Sequence, residues 1–400
     1  MFSPEVHLAE SSLLFKQGSL DTGAFYTREA YLHATIPNLG GVVGRWCVEK
    51  LLGDEEKQGF PVLYQSRPMD PENVHNNNEL HYQNELEITS MAIKSILELN
   101  QWERDSVDAV VFGNGMVMDA VPYMQDVARI AKLPERVVLV ESGSYLFAHA
   151  CNSSGAATHY TVKNEKLQGK RVIVLDVEHI TRYLGMLDGK VADKLSLGVF
   201  SNGVAGLGFV PGKSLQYICG ASHEKEDKKG VLPGEMAYKE YIDEQGLLIQ
   251  QDEQVSYIRL PYPSPGHWIE MNGFDTGKLF LGLLEECIPS VLDSFKKYCP
   301  GEQIDRVVAH HASASMFKGV GRLLVKQGVL PKVGKNDPWE TFPWVMYDGN
   351  ASGATTLMAF VRQLNTMKSG DNILVVSFGA GASADVFVVK AGCQKNRNRF

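Results

Sequence analysis

The sequence predicts an α/β protein built from two similar halves. Three observations point there. The chain has 400 residues, beyond the size at which a single hydrophobic core keeps growing, so two core units or a duplicated architecture are expected. Segments of helical period alternate with short apolar runs of the kind that form buried strands. Finally, a helix, an aspartate and a strand occur twice in that order, each time followed by a second strand, which suggests an internal duplication.

Along the chain, the first eighty residues carry little readable pattern. Thr27 to Leu52 has apolar spacing compatible with helices around a Gly40-Gly41 break, and Pro68 to Asn84 reads as an exposed polar connection. Leu86 to Leu99 has apolar positions at helical spacing, and Val107-Asp108-Ala109-Val110-Val111-Phe112 then reads as a buried strand. Pro122 to Ala131 is helix-like, and Val137 to Val140 is another short strand. The small residues Ser153-Ser154-Gly155-Ala156-Ala157, continuing to Val162, suit a helix packed tightly among others. Arg171 to Asp176 is a clear buried strand, and Leu197 to Val210, rich in Gly and Val, suits strands meeting at a tight turn. Ser222 to Glu253 is polar and reads as a surface insertion. The second half repeats the outline: Thr276 to Tyr298 is a long amphipathic helix, followed by Ile304-Asp305-Arg306-Val307-Val308-Ala309, and Asn372 to Phe378 echoes Lys170 to Asp176. The halves divide as 1–212 and 213–400.

Composition excludes several classes of function. Hydrophobic residues make up 44% and charged residues 22%, as in an average soluble chain. Net charge is −8 with no dense Lys/Arg stripe, so nucleic acid is not an expected partner. The concentrated charge runs, Asp54-Glu55-Glu56-Lys57 and Glu224 to Lys229, read as solvated loops or helix ends. No apolar run is long enough to span a bilayer, and the start of the chain lacks the basic and apolar stretches of a signal peptide, so no membrane association and a cytoplasmic location are expected. The six cysteines, Cys47, Cys151, Cys219, Cys287, Cys299 and Cys393, are scattered without a Cys-x-x-Cys pair. Neither a metal site nor a disulfide framework is suggested.

Four places can carry chemistry. Cys151 precedes the small-residue helix, where unpaired backbone N–H groups and the helix dipole favour thiolate; the plain alternative is a buried structural cysteine. His310 and His311 follow a strand directly, which suits a side chain facing a site, although a satisfied core or surface histidine has the same pattern. Metal binding by the two is disfavoured, because adjacent residues on an extended strand point to opposite faces. Asn350, in Tyr347-Asp348-Gly349-Asn350-Ala351-Ser352-Gly353, is an amide donor for a site or a turn and cap residue. Gly379-Ala380-Gly381-Ala382 approaches a dinucleotide fingerprint, but a strand follows instead of a helix, so a Gly-rich hairpin is the better reading. A backbone N–H in such a turn can serve an oxyanion.

Taken together, these segments resemble the beta-ketoacyl carrier-protein synthase III group of the thiolase superfamily. Ala150-Cys151-Asn152-Ser153-Ser154-Gly155 matches that family's Ala-Cys motif opening a buried helix, and Ala309-His310-His311-Ala312-Ser313 its Pro-His-Gln-Ala-Asn motif. Gly349-Asn350-Ala351-Ser352 matches Gly-Asn-x-Ser, and Phe378-Gly379-Ala380-Gly381 the closing Phe-Gly-x-Gly turn. Met271-Asn272-Gly273 and Ser201 to Gly206 are smaller matches, and the resemblance runs from about Leu86 to Lys390. The altered histidine motif, the polar Asn152-Ser153-Ser154, the first eighty residues and the 222–253 insertion depart from the housekeeping enzyme. They point to a specialised relative, for example in a polyketide or secondary-metabolite pathway.

The resemblance implies a thiolase-like fold, with two similar halves stacked as five αβαβα layers, and a homodimer. It implies a ketosynthase in which Cys151 takes an acyl group from coenzyme A or acyl carrier protein. The N–H groups of Cys151 and Gly381 would hold the thioester oxyanion. His310 and Asn350 would stabilise the enolate formed by decarboxylation of a malonyl-type thioester. No permanently bound cofactor is implied, only coenzyme A or phosphopantetheine thioesters as substrates. Alternatives are acyl transfer to an oxygen or nitrogen nucleophile or a carrier without carbon–carbon bond formation, a non-catalytic partner subunit, and a cysteine hydrolase.

Overall fold

The computed structural model describes residues 86, 89–98, 100–113, 120–140, 150–178, 203–224, 273–312, 314–330, 350–364, 367–379 and 383–392, with several short strands elsewhere. In chain order the strands of the first half are β1 (His7–Ala9), β2 (Ser12–Phe15), β3 (Gly23–Thr27), β4 (Val62–Ser66), β5 (Ala109–Gly113), β6 (Val138–Val140) and β7 (Val172–Glu178). Then come β8 (Met186–Leu187), β9 (Lys190–Val191), β10 (Gly203–Phe209), β11 (Leu215–Glu224), β12 (Ile258–Arg259) and β13 (Glu270–Met271). The last are β14 (Arg306–Ala309), β15 (Asn372–Gly379) and β16 (Ser383–Ala391). The helices are α1 (89–98), α2 (Ala120–Ala131), α3 (Ser153–Lys163), α4 (Gly273–Tyr298), α5 (Ala314–Lys326) and α6 (Ala354–Leu364).

Two sheets carry the architecture. The first has the order β1-β2-β10-β7-β5-β6, the second β11-β16-β15-β14, and β3/β4, β8/β9 and β12/β13 form separate antiparallel pairs. In each sheet a parallel pair is followed by an antiparallel return. β5 runs parallel to β7, which pairs antiparallel with β10. Likewise β14 runs parallel to β15, which pairs antiparallel with β16. The repeated aspartate has a physical reason. Asp108 Oδ2 accepts the Arg171 N–H at 2.9 Å, and Asp305 Oδ2 accepts the Asn372 N–H at 2.8 Å. In both halves, one carboxylate satisfies the first amide of the neighbouring parallel strand, an otherwise orphaned donor.

Alternation along β7 and β15 sets the layers. Val172 and Val174 face the central core, whereas Ile173 and Leu175 pack with Ile93, Ile96, Tyr123 and Val127 of α1 and α2. Similarly, Ile373 and Val375 face the centre, while Leu374, Val376 and Phe378 pack with Phe280, Leu284 and Ile288 of α4 and with α5. Both faces of each sheet are therefore covered, which is why these strands read as unbroken apolar runs. Between the sheets lie α3 and α6. Nine of the eleven residues of α3 are buried, and seven of those nine are Ser, Gly, Ala or Thr, so its composition is that of a helix surrounded on all sides. The stack is α1/α2, first sheet, α3/α6, second sheet, α4/α5: the five αβαβα layers that the resemblance implies.

Of the stretch from Leu197 to Val210, residues 197–202 lie outside the described residues, and Gly203–Phe209 forms β10, which pairs with β7 on one side and β2 on the other. A tight turn follows at Pro211-Gly212, where Gly212 has φ +79° and β11 begins at Leu215. One expectation needs correction. The polar stretch expected from Ser222 starts inside β11, which runs to Glu224 and pairs with β16 along its length. Most of the first eighty residues, residues 225–253 and Gly381 lie outside the described residues.

Candidate active site

Cys151 sits in the short 3-10 turn Ala150–Asn152 that leads directly into α3. It is 6% exposed and belongs to the core cluster that also contains Phe378, Val376 and Ala309. Its sulfur receives the Ser352 hydroxyl as a hydrogen-bond donor at 3.7 Å. A hydroxyl donor is one that a thiolate accepts more strongly than a thiol does.

Asn350 lies one turn before α6. Its carboxamide oxygen accepts the Ser352 N–H at 3.0 Å and the Thr355 hydroxyl at 3.4 Å. The oxygen therefore does the turn-forming work, and the amide NH2 group is the end left to serve a bound molecule. Ser352 holds this geometry with φ +46°, a left-handed conformation that a non-glycine residue adopts at a cost. One residue thus bonds to the Asn350 carboxamide through its backbone and to the Cys151 sulfur through its side chain.

His310 follows β14 and continues its pairing, its N–H bonding to the Val376 carbonyl at 2.9 Å. The ring meets Phe378 edge to face, with centroids 5.0 Å apart. It is fully buried, and neither ring nitrogen has a hydrogen-bond partner among the described residues. Burial, which penalises the imidazolium, pushes its pKa down to about 3, so the ring is neutral and carries one N–H. His311 packs instead against Phe317, centroids 4.6 Å apart. The structure thus places Cys151, His310 and Asn350 around Phe378 and Ser352. Gly381, between β15 and β16 in the chain, lies outside the described residues; the last pair of those strands is Gly379 with Ser383.

Sequence reasoning missed the polar groups behind the cysteine. Asp385, on β16, accepts hydrogen bonds from Asn152 Nδ2 at 2.8 Å and Ser222 Oγ at 2.6 Å, and pairs with His159 Nδ1 at 2.7 Å. Burial alone would raise its pKa, but the bonds from His159, Ser222 and Asn152 prevail and hold the carboxyl below the usual range. The His159 ring stacks on Phe387 at 4.8 Å. A second buried acid, Asp176, accepts the Ser153 hydroxyl at 2.6 Å. Its burial and the nearby Glu178 push its carboxyl well above the usual range, against the lowering effect of Ser153. The available signal was the same for both: an acidic residue inside a strand that reads as buried on both faces.

No family model matches the chain. Two sequences named beta-ketoacyl-[acyl-carrier-protein] synthase III, from two strains of Clostridium perfringens, are 30% and 29% identical to it over 127 residues. That stretch is 31% of this chain and spans 35% of the length of those relatives. Solved structures match over nearly the whole chain. The 1,3,6,8-tetrahydroxynaphthalene synthase of Streptomyces coelicolor, a bacterial type III polyketide synthase, has TM-score 0.69 at 12% identity, covering 93% of this chain and 98% of its own. A type III pentaketide synthase from Neurospora crassa gives 0.65 at 14%, covering 92% and 98%. The 3-oxoacyl-(acyl carrier protein) synthase III of Pseudomonas aeruginosa gives 0.60 at 13%, covering 94% and 98%. The chain has the thiolase-like fold of these synthases. Among the described residues, no helix is long and apolar enough to cross a membrane.

Proposed function

We propose that the chain is an acyltransferase of the ketosynthase kind, which loads an acyl group on Cys151 and extends it by decarboxylative Claisen condensation. The observation that carries the reading is Ser352, which bonds the Cys151 sulfur through its hydroxyl and the Asn350 carboxamide oxygen through its N–H. The likeness of fold to polyketide synthases and to a synthase III supports it.

In this reading the Cys151 thiolate attacks the carbonyl carbon of an acyl thioester. The oxyanion is held by the N–H groups of Cys151 and Gly381, and the coenzyme A or carrier-protein thiol leaves. A malonyl-type thioester then enters and loses carbon dioxide, and its enolate oxygen is held by the N–H of neutral His310 and the NH2 of Asn350. The enolate carbon attacks the acyl carbon, and Cys151 leaves as thiolate to give a 3-oxoacyl thioester. A neutral histidine suits this role because it donates without delivering a proton to the carbanion. The burial that keeps His310 neutral also strengthens each hydrogen bond it makes. Partners in this reading are acyl-coenzyme A or acyl carrier protein, and a second copy of the chain. The halves 1–212 and 213–400 then supply the cysteine and the His/Asn pair respectively.

The test is product formation from an acyl-coenzyme A panel with malonyl-coenzyme A, followed by mass spectrometry. Wild type is expected to form the 3-oxoacyl product. His310→Ala and Asn350→Ala are expected to acylate Cys151 but to lose condensation by about 10²-fold or more, the usual effect of removing a donor to a developing oxyanion. Acyl transfer to water, an alcohol or an amine with no carbon–carbon product would contradict the reading.

A further inference from the structure

We propose that Asn152 and Asp385 form a positioning pair that holds the Cys151 turn against β16, fixing the Cys151 amide that receives the thioester oxyanion. This rests on the reading of Cys151 as the acyl carrier.

Asn152 is the residue after the nucleophile, the last of its 3-10 turn and the position at which α3 begins. Asparagine at such a position usually caps the helix through its side-chain oxygen. Here it makes no cap bond. Its NH2 group reaches across instead to Asp385 Oδ2 at 2.8 Å and to Ser383 Oγ at 3.3 Å. Ser383 and Asp385 both belong to β16, so both bonds land on that strand. Asn152 therefore ties the turn that carries the Cys151 amide to β16. The first amides of α3 also stay without the side-chain acceptor that a capping asparagine supplies.

Stability alone does not account for the arrangement. Asp385 already has His159 at 2.7 Å and Ser222 at 2.6 Å, so it does not need Asn152 to be satisfied. Asn152 itself is fully buried, and its Oδ1 has no hydrogen-bond partner among the described residues. A side chain retained for packing would do better as an apolar residue of similar size, with no orphaned acceptor. His159 and Ser222 anchor Asp385 from α3 and β11, and the carboxylate is held in its ionised form, which makes it a strong acceptor for the Asn152 amide.

The experiment compares two reactions of the same sulfur in the full chain. Acylation by an acyl-coenzyme A thioester passes through an oxyanion, whereas alkylation by iodoacetamide does not. Asn152→Ala, and Asn152→Ser should the first not fold, leave a side chain too short to reach Asp385. The expected result is single-turnover acylation slowed about 10- to 100-fold, with alkylation within about threefold of wild type. Acylation within about threefold of wild type would overturn the proposal. So would both reactions slowing by one factor, because the turn would then be merely disordered. A wild type that takes up no acyl group would instead remove the reading of Cys151 as carrier, and this inference with it.

Discussion

The same substitution at two helical glycines should have opposite signs. In a helix interior, glycine to alanine is worth about 1 kcal/mol of stability from propensity alone. At Gly282, inside α4, a new Cβ would meet no heavy atom within 4 Å. Gly282→Ala is therefore expected to stabilise by about 1 kcal/mol. At Gly155, inside α3, the Cβ would fall on Ser377 Cβ and Oγ, well inside van der Waals contact, and 3.1 Å from Asn152 Oδ1. Ser377 cannot yield easily. It lies on β15 opposite Asp385 of β16, is fully buried, and its hydroxyl hydrogen-bonds Thr356 at 3.0 Å. Overpacking costs about 1–3 kcal/mol and a lost hydrogen bond about 1 kcal/mol, against the propensity gain of about 1 kcal/mol. Gly155→Ala is thus expected to destabilise by about 1–3 kcal/mol, measured by urea denaturation. Adding Ser377→Gly, which removes both clashing atoms, should recover at least about 1 kcal/mol of coupling. Equal signs at the two glycines, or no coupling with Ser377, would refute the close approach of α3 to β15.

Three further outcomes follow from the buried groups. The pKa of His310 is depressed to about 3 from 6.5. Stability should thus be full above about pH 6.5 and fall as the pH drops towards 3, by at most about 1.4 kcal/mol per pH unit; His310→Gln should flatten that slope in denaturation series. Asp176 is raised, so its cost appears as pH climbs above 3.8 towards the folded value. Asp176→Asn should raise the melting temperature at pH 7 but not at pH 3.5, and equal effects at both would contradict the burial argument. Ser352→Ala removes the donor to Cys151 Sγ and should slow iodoacetamide alkylation at neutral pH about tenfold, since hydrogen bonds to charged groups are worth about 1.5–3 kcal/mol. An unchanged rate would show that the hydroxyl does not assist the thiolate.

Much of the fold was legible because burial on both faces writes itself as continuous apolar runs, as in Val172 to Leu175 and Ile373 to Val376. The duplication was legible through Asp108 and Asp305, whose recurrence reflects the same amide being satisfied in each half. β11 was not, since Gln216, Gly220, Ser222 and His223 interrupt its apolar character and the strand lies at the edge of its sheet. α5, which follows the histidine motif, was also unanticipated. Within the site, Cys151, His310 and Asn350 each sit at the junction of a strand or turn with the next element, where local pattern marks a position. The Asp385 group was illegible for a different reason. Its partners His159 and Asn152 lie 226 and 233 residues away along the chain, and no local period reports such a pairing.

In the proposed reaction Cys151 carries an acyl group. Intact-protein mass spectrometry after incubation with a panel of acyl-coenzyme A thioesters, with Cys151→Ala as control, tests it most directly. One acyl mass is expected on wild type and none on the variant. A wild type that no thioester labels, or a variant labelled equally, would contradict it.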